Sequence, residues 1–297
     1  MIIITVLIIG ATGFLGNKLI QMLKEHNPIG TYHNKKHENY HKLDISNKEN
    51  VLKLVKEIKP NIIINTSHIP NSNTEEMKEL AKKINSLGPK NLAEVCNDIY
   101  KKTEMEIKLI HMSTDFIFDG EKGNYSENDK TNPISHYGKT KLAGEQGIHL
   151  FKNHIILRVS TLYGYSTPED KKFTNWIISS LKEKKEINIL DDQFTCPTLI
   201  DNIGKAIILL LRSNKTGTYH CVGSEKISRY GFAVKVAEKF NLDKNLIKPT
   251  TISNIDQNII RPKNTTLNIS KLESEGIQMC NVDEGLEIMK NQMDKGV

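Results

Sequence analysis

An apolar run, MIIITVLII, opens the chain and ends at Gly10. It is too short to span a membrane, and its β-branched residues closed by glycine predict a strand buried on both faces. The period then changes. FLGNKLIQMLKEH, from residue 14, repeats apolar positions at helical spacing, and IGTYH returns to an extended pattern. Helices are predicted over residues 48–58 and about 74–100, and strands at NIIIN (61–65), IKLIHMS (107–113) and HIILRVS (154–160), with a helix opening near Tyr137 before the last of these. Strands that are apolar without alternation, separated by helices, predict an α/β fold with a doubly wound parallel sheet of the Rossmann type.

Past residue 165 the order is less regular. TPEDKKFTNWIISSLKEKKE predicts a loop and a helix, LIDNIGKAIILLLRS a helix packed back on the sheet, and RYGFAVKVAEKFN and VDEGLEIMKNQM shorter helices. We therefore divide the chain into a Rossmann domain over 1–165, with 195–213 packing back on it, and a smaller C-terminal α/β substrate-binding lobe from 166–194 and 214–297.

Composition narrows the function classes. The 297 residues are 38% hydrophobic and 26% charged, which fits a soluble globular protein. The net charge of +6 comes from lysines mixed with glutamates along the whole chain, so it favours an anionic small ligand over nucleic acid. Four cysteines, Cys96, Cys196, Cys221 and Cys280, form no C-x-x-C pair, which fits a reducing cytoplasm and argues against structural zinc. His33, His37 and His41 share one loop whose Asn and Gly residues oppose a helix, so they are read as loop histidines and not as metal ligands. No basic leader precedes the first strand, and no membrane partner is expected.

The first candidate chemistry lies in GATGFLG, where Gly10, Gly13 and Gly16 stand between the first strand and the first helix. Such a turn admits a pyrophosphate to the backbone and to the helix N-terminus. Where the second strand ends, GTYHNKKHE has no acid before Glu38 but offers Lys35 and Lys36. This favours NADP, with NADH possible, because a carboxylate at that place would bind the ribose hydroxyls of NAD and repel a 2′-phosphate.

In ISHYGKTKLAGE, Tyr137 precedes Lys141 by four residues, which is about one helical turn. A lysine ammonium ~4 Å from a buried phenol would lower its pKa by about three units, toward neutral pH. At the end of the strand IKLIHMS, Ser113 and Thr114 put hydroxyls where parallel sheets place their ligands, positioned to hydrogen-bond a substrate carbonyl.

Together, GATGFLG, the Thr114 element and YGKTK resemble the extended short-chain dehydrogenase/reductase superfamily in order and spacing. More narrowly, STDFIFDG, YGKTKLAGE, LRVSTLYG, DDQFTCPT and RPKNTTL resemble the dTDP-4-dehydrorhamnose reductase family, from residue 4 to about residue 270. The resemblance implies that Gly10, Thr12, Gly13, Phe14, Leu15 and Gly16 cradle the pyrophosphate, that Asp44 and Ile45 contact adenine, and that Asn65, Thr66 and Ser67 run beside the nicotinamide ribose. It assigns catalysis to Thr114, Tyr137 and Lys141, with Lys141 also on the ribose, and places Asp115 and Phe116 beside the sugar. Leu162 stands where these reductases carry a substrate-pocket tryptophan, Phe116 where tyrosine is common, and Lys172 where asparagine often stands.

The implied activity is NADPH-dependent reduction of the C4 keto group of a nucleotide-linked 6-deoxy sugar, in a chain able to form a homodimer. Alternatives are an NADP-binding regulatory subunit resembling the β subunit of methionine adenosyltransferase, and another nucleotide-sugar epimerase, dehydratase or reductase. Dehydratases usually place an acid pair after the Thr-type residue, whereas here Asp115 is followed by Phe116.

Overall fold

The computed structural model describes residues 4–70, 74–166, 172–213, 215–254 and 260–296. Seven parallel strands form the main sheet. β1 (Val6–Ile9) lies between β2 (Pro28–Tyr32) and β4 (Ile62–Asn65), with β3 (His41–Lys42) beyond β2. On the other side, β5 (Lys108–Thr114), β6 (His154–Val159) and an edge strand, Gly217–His220, follow β4 in that order. All four residues of β1 and of β4 are buried, because both faces of the sheet are covered, which is why these strands lack polar alternation. The strand order reverses between β1 and β4, and a crevice opens there beyond the carboxyl ends of the strands.

One face is covered by α1 (Phe14–Met22) and the later helix Ile200–Arg212, through Leu19, Ile203 and Ile207. The other is covered by α2 (Lys48–Ile58), through Val51 and Val55, and by the helical stretch from 75 to 103, through Leu92 and Cys96. This stretch is not the single α-helix predicted for 74–100. It divides into α3 (Glu75–Ala81), a π-helical turn over Lys82–Leu87, and α4 (Gly88–Thr103). Pro89 has no N–H for the carbonyl four residues earlier, so the regular ladder fails at Asn85 and the turn widens. The widened turn serves α5 (His136–Ile148): Asn85 Nδ2 donates to Thr140 Oγ1 at 3.1 Å, and Ser86 Oγ donates to the Thr140 carbonyl at 2.9 Å.

Helix α5 begins at Ser135, whose side chain accepts from Gly138 N. It is joined to β6 by a buried bidentate pair, with Arg158 Nε and Nη2 donating to Glu145 at 3.1 and 2.9 Å. Breaking such a pair would leave an uncompensated buried charge, so the helix that carries Tyr137 is strongly registered on the sheet.

The second lobe holds α6 (Phe173–Lys182), α8 (Arg229–Lys239) and α10 (Val282–Lys295), packed with the parallel pair Ile187–Leu190 and Ile247–Thr250 around Ile177, Phe232 and Leu286. Helix α7 (Ile200–Arg212) packs back on the sheet and is tied to α1 by a buried Lys18–Asp201 pair at 2.9 Å. The sequence division at 214 differs from the structure. Gly217–His220 completes the main sheet beside β6, and Leu272 of α9 (Ser270–Ser274) joins the sheet core. A strand of four residues ahead of an irregular segment carries too little periodicity to be assigned to either unit in advance.

Candidate active site

A cavity of about 740 Å³ follows the crevice from the glycine turn to the second lobe. Gly10, Thr12, Gly13, Phe14, Leu15 and Gly16 all line it. A Cβ on Gly16 would stand 2.2 Å from the Gly10 carbonyl oxygen, so the turn closes on itself only with a bare backbone. Across the turn, Thr66 Oγ1 donates to the Ile9 carbonyl at 2.7 Å and fixes the end of β4 beside it. This cradle, with the N-terminus of α1 behind it, fits a dinucleotide pyrophosphate.

The other nucleotide-binding expectations divide. Lys35, Ile45, Thr66 and Ser67 line the cavity, with Thr31, Tyr32 and His33 beside them. Lys36 is not on the wall, and His37 stacks on Tyr40 with ring centres 3.8 Å apart. Asp44 is also off the wall, and its Oδ1 closes a local turn by accepting from Ser46 N and Oγ at 2.9 and 2.7 Å. Asn65 is fully buried and acts one layer back: its Oδ1 holds Ser67 N and Oγ at 3.1 and 2.6 Å. Among the described residues, no group of three or more His, Cys, Asp or Glu could hold a metal ion.

Thr114, Asp115, Phe116, Tyr137, Lys141 and Leu162 line the same cavity. The loop after β5 approaches α5 so closely that a Cβ on Gly138 would lie 2.1 Å from the Phe116 carbonyl oxygen. Gly138, in YGKTK, therefore lets the strand end and the tyrosine helix meet, and the Phe116 and Tyr137 rings touch edge to face at 6.0 Å.

The electrostatics differ from the sequence expectation. Burial pushes the Tyr137 phenol up to about 12 against a hydrogen bond with Thr114, and the Asp115 charge acts in the same direction as burial. Burial also brings Lys141 down to about 8, and its ammonium donates to the Met112 carbonyl. One helical turn brings both side chains into the same cavity, but desolvation is the largest cause for each, and neither residue shifts the other. Tyr137 is thus a protonated phenol at neutral pH, a proton donor and not a phenolate.

Thr114 is also tied to its neighbour: its hydroxyl donates to Asp115 Oδ1 at 3.1 Å. Asp115 accepts two further hydroxyls at Oδ2, from Ser160 at 2.7 Å and Thr265 at 2.5 Å. Burial raises the Asp115 carboxyl, and the three hydroxyls offset part of that rise.

Several residues escaped the sequence reading. Ser160 and Thr265 lie inside LRVSTLYG and RPKNTTL, and Arg229 opens RYGFAVKVAEKFN, but these segments are far apart in the chain and no local spacing joins the three residues. Arg229 lines the cavity at the start of α8, with its guanidinium stacked 4.0 Å over Phe173, and burial together with the nearby Arg261 brings it down to about 10. Lys172 lines it too, 5.4 Å over the Phe14 ring of the glycine turn. The charged lining is therefore Lys35, Lys141, Lys172 and Arg229 against the already saturated Asp115, a wall suited to anions. The side chains of DDQ are spent on structural contacts. Asp191 accepts from Ser228 Oγ at 2.7 Å, Asp192 from Ile252 N at 2.9 Å, and Gln193 Nε2 donates to the Pro262 carbonyl at 3.2 Å. These bonds tie the second lobe's segments together behind the cavity.

Comparison with known proteins gives a family model described as the RmlD substrate binding domain, matched over residues 4–295. The chain is 31% identical over 276 residues to the probable low-salt glycan biosynthesis reductase Agl14 of Haloferax volcanii, covering 90% of each chain. It is 30% identical to methionine adenosyltransferase 2 subunit beta of Xenopus laevis, covering 91% of this chain and 82% of that one. Among solved structures it resembles dTDP-4-dehydrorhamnose reductase from Bacillus anthracis in complex with NADP, with a TM-score of 0.86, 31% identity, and 97% and 99% of the two chains covered.

Proposed function

The chain belongs to the RmlD substrate-binding family, and from that premise we propose that it is an NADPH-dependent oxidoreductase that reduces the C4 keto group of a nucleotide-linked 6-deoxy sugar. The leading reaction is dTDP-4-dehydrorhamnose to dTDP-L-rhamnose. The observation that carries this reading is the placing of a buried, protonated Tyr137 in one cavity with the glycine cradle and an anion-suited wall.

NADPH, when bound, supplies the hydride for the carbonyl carbon. The glycine turn holds the pyrophosphate, Lys35 meets the 2′-phosphate, and Thr66 and Ser67 border the nicotinamide half. Tyr137 donates its proton to the carbonyl oxygen. An alkoxide is a stronger base than a phenolate, so a phenol near 12 still transfers downhill while staying protonated until charge develops. Lys141, charged below about 8, then stabilises the phenolate and seats the ribose. Arg229 and Lys172 hold the diphosphate of the sugar nucleotide, and Phe116, Leu162 and Phe173 wall the sugar.

The test is NADPH oxidation over a panel of nucleotide-linked 4-keto sugars. Turnover of a dTDP-linked 4-keto-6-deoxy sugar is expected, and no turnover of any member would end the proposal. The resemblance to a methionine adenosyltransferase β subunit favours a second reading, a regulatory subunit. Co-purification with a synthetase, together with silence across the panel, would select it.

A further inference from the structure

We propose that Thr265 is a positioning residue of the active site: together with Ser160 it holds the Asp115 carboxylate so that Asp115 accepts a hydrogen bond from the Thr114 hydroxyl and fixes Thr114 beside Tyr137. The inference rests on reading this cavity as the reductase site.

Three stretches of chain meet at one carboxylate. Thr114 ends β5, Ser160 follows β6, and Thr265 arrives from RPKNTTL, 150 residues beyond Asp115. All four side chains are buried, with Thr265 wholly so. An ionised carboxylate only accepts hydrogen bonds, so the three hydroxyls must each donate to it. For Thr114 this decides the proton's direction. With its hydroxyl donating to Asp115 and the Phe116 N–H donating to the same oxygen at 3.3 Å, Thr114 Oγ1 is held from two sides beside the Tyr137 phenol. Without Thr265, Asp115 Oδ2 would lose a donor, the carboxylate would hold its own proton to higher pH, and a protonated Asp115 would no longer orient Thr114.

The segment that supplies Thr265 is itself held from both sides. Thr265 N donates to the Phe194 carbonyl at 3.2 Å, Asn264 N to the Gly120 carbonyl at 3.0 Å, and Tyr125 N to the Thr266 carbonyl at 2.9 Å. The C-terminal half of the chain therefore reaches the reacting groups through a hydroxyl, and Thr265 acts through Asp115 and Thr114 without touching substrate.

The experiment compares the full-length wild type with T265V and T265S. Losing a hydrogen bond to a charged group is worth about one to two pKa units. T265V should lower kcat by about tenfold with the KM for NADPH unchanged, and should move the acid limb of the pH profile up by about one unit. T265S keeps the hydroxyl and should restore both. Infrared titration of the buried carboxyl, identified as the band lost in D115N, should show the same shift with no substrate present. If no keto sugar is turned over, the functional reading fails while the infrared titration still decides the latch. An unshifted titration in T265V, or a T265S as impaired as T265V, overturns the proposal. If T265V does not fold, S160A removes the other donor to the same oxygen and must shift the titration in the same direction.

Discussion

The ammonium of Lys141 donates to the main-chain carbonyl of Met112, next to the end of β5, one helical turn from the phenol it was expected to activate. This buried lysine makes the first prediction a stability one. Its folded pKa of about 8 lies below the ordinary 10.5, so between those values the unfolded chain binds a proton that the folded chain does not, and stability rises with pH. Below pH 8 the charged buried group costs about 3 kcal/mol. K141M should therefore melt several degrees above the wild type at pH 7, lose that advantage as pH approaches 10.5, and have no reductase activity. A lower melting temperature at pH 7 in calorimetry would contradict this.

Tyr137 is expected to act as an acid and to contribute little to cofactor binding. Y137F should reduce NADPH oxidation by about a thousandfold, the scale of general acid catalysis, while NADPH fluorescence titrates as in the wild type. Full turnover in this variant would remove Tyr137 from the mechanism.

In the proposed reaction Lys35, on the cavity wall, reads the 2′-phosphate of NADPH. K35A should raise the KM for NADPH by about tenfold and leave that for NADH unchanged, since one charge-assisted contact is lost only with the phosphorylated cofactor. Equal effects on the two cofactors would show that the lysine does not read the phosphate.

In the proposed reaction Arg229 serves the substrate and not the cofactor. R229A should raise the KM for the sugar nucleotide, and the inhibition constant of dTDP, by about a hundredfold with NADPH binding intact. Inhibition by dTDP at wild-type strength would place the diphosphate elsewhere.

Gly138 is required by the close approach of Phe116. A methyl group at 2.1 Å from a carbonyl oxygen must displace either α5 or the end of β5. G138A should lose more than about tenfold in kcat and melt several degrees lower, with β1 and its glycine turn still able to bind NADPH. Wild-type kinetics in G138A would mean that the helix and strand can separate without consequence.

Much of the site was legible because its signals are local. The glycine turn follows a buried strand within a few residues, and Tyr137 and Lys141 share one helix face, so adjacency in sequence already meant adjacency in space. Asp44 shows the limit of the same logic. Its position after β3 is near the nucleotide end, but it lies off the cavity wall with Oδ1 turned to Ser46 N and Oγ.

The sequence by itself determined the alternation of buried strands and helices, the turn that can hold a pyrophosphate, and the residue types available for proton transfer, since backbone preference and hydrophobic period act over a few residues. Tertiary structure alone decided the rest: how deeply Tyr137 and Lys141 are desolvated, which carbonyl receives the lysine, and which hydroxyls converge on Asp115 from β5, β6 and residue 265. Protonation and proton direction depend on burial and on partners far away along the chain, and neither is carried by the spacing of a motif.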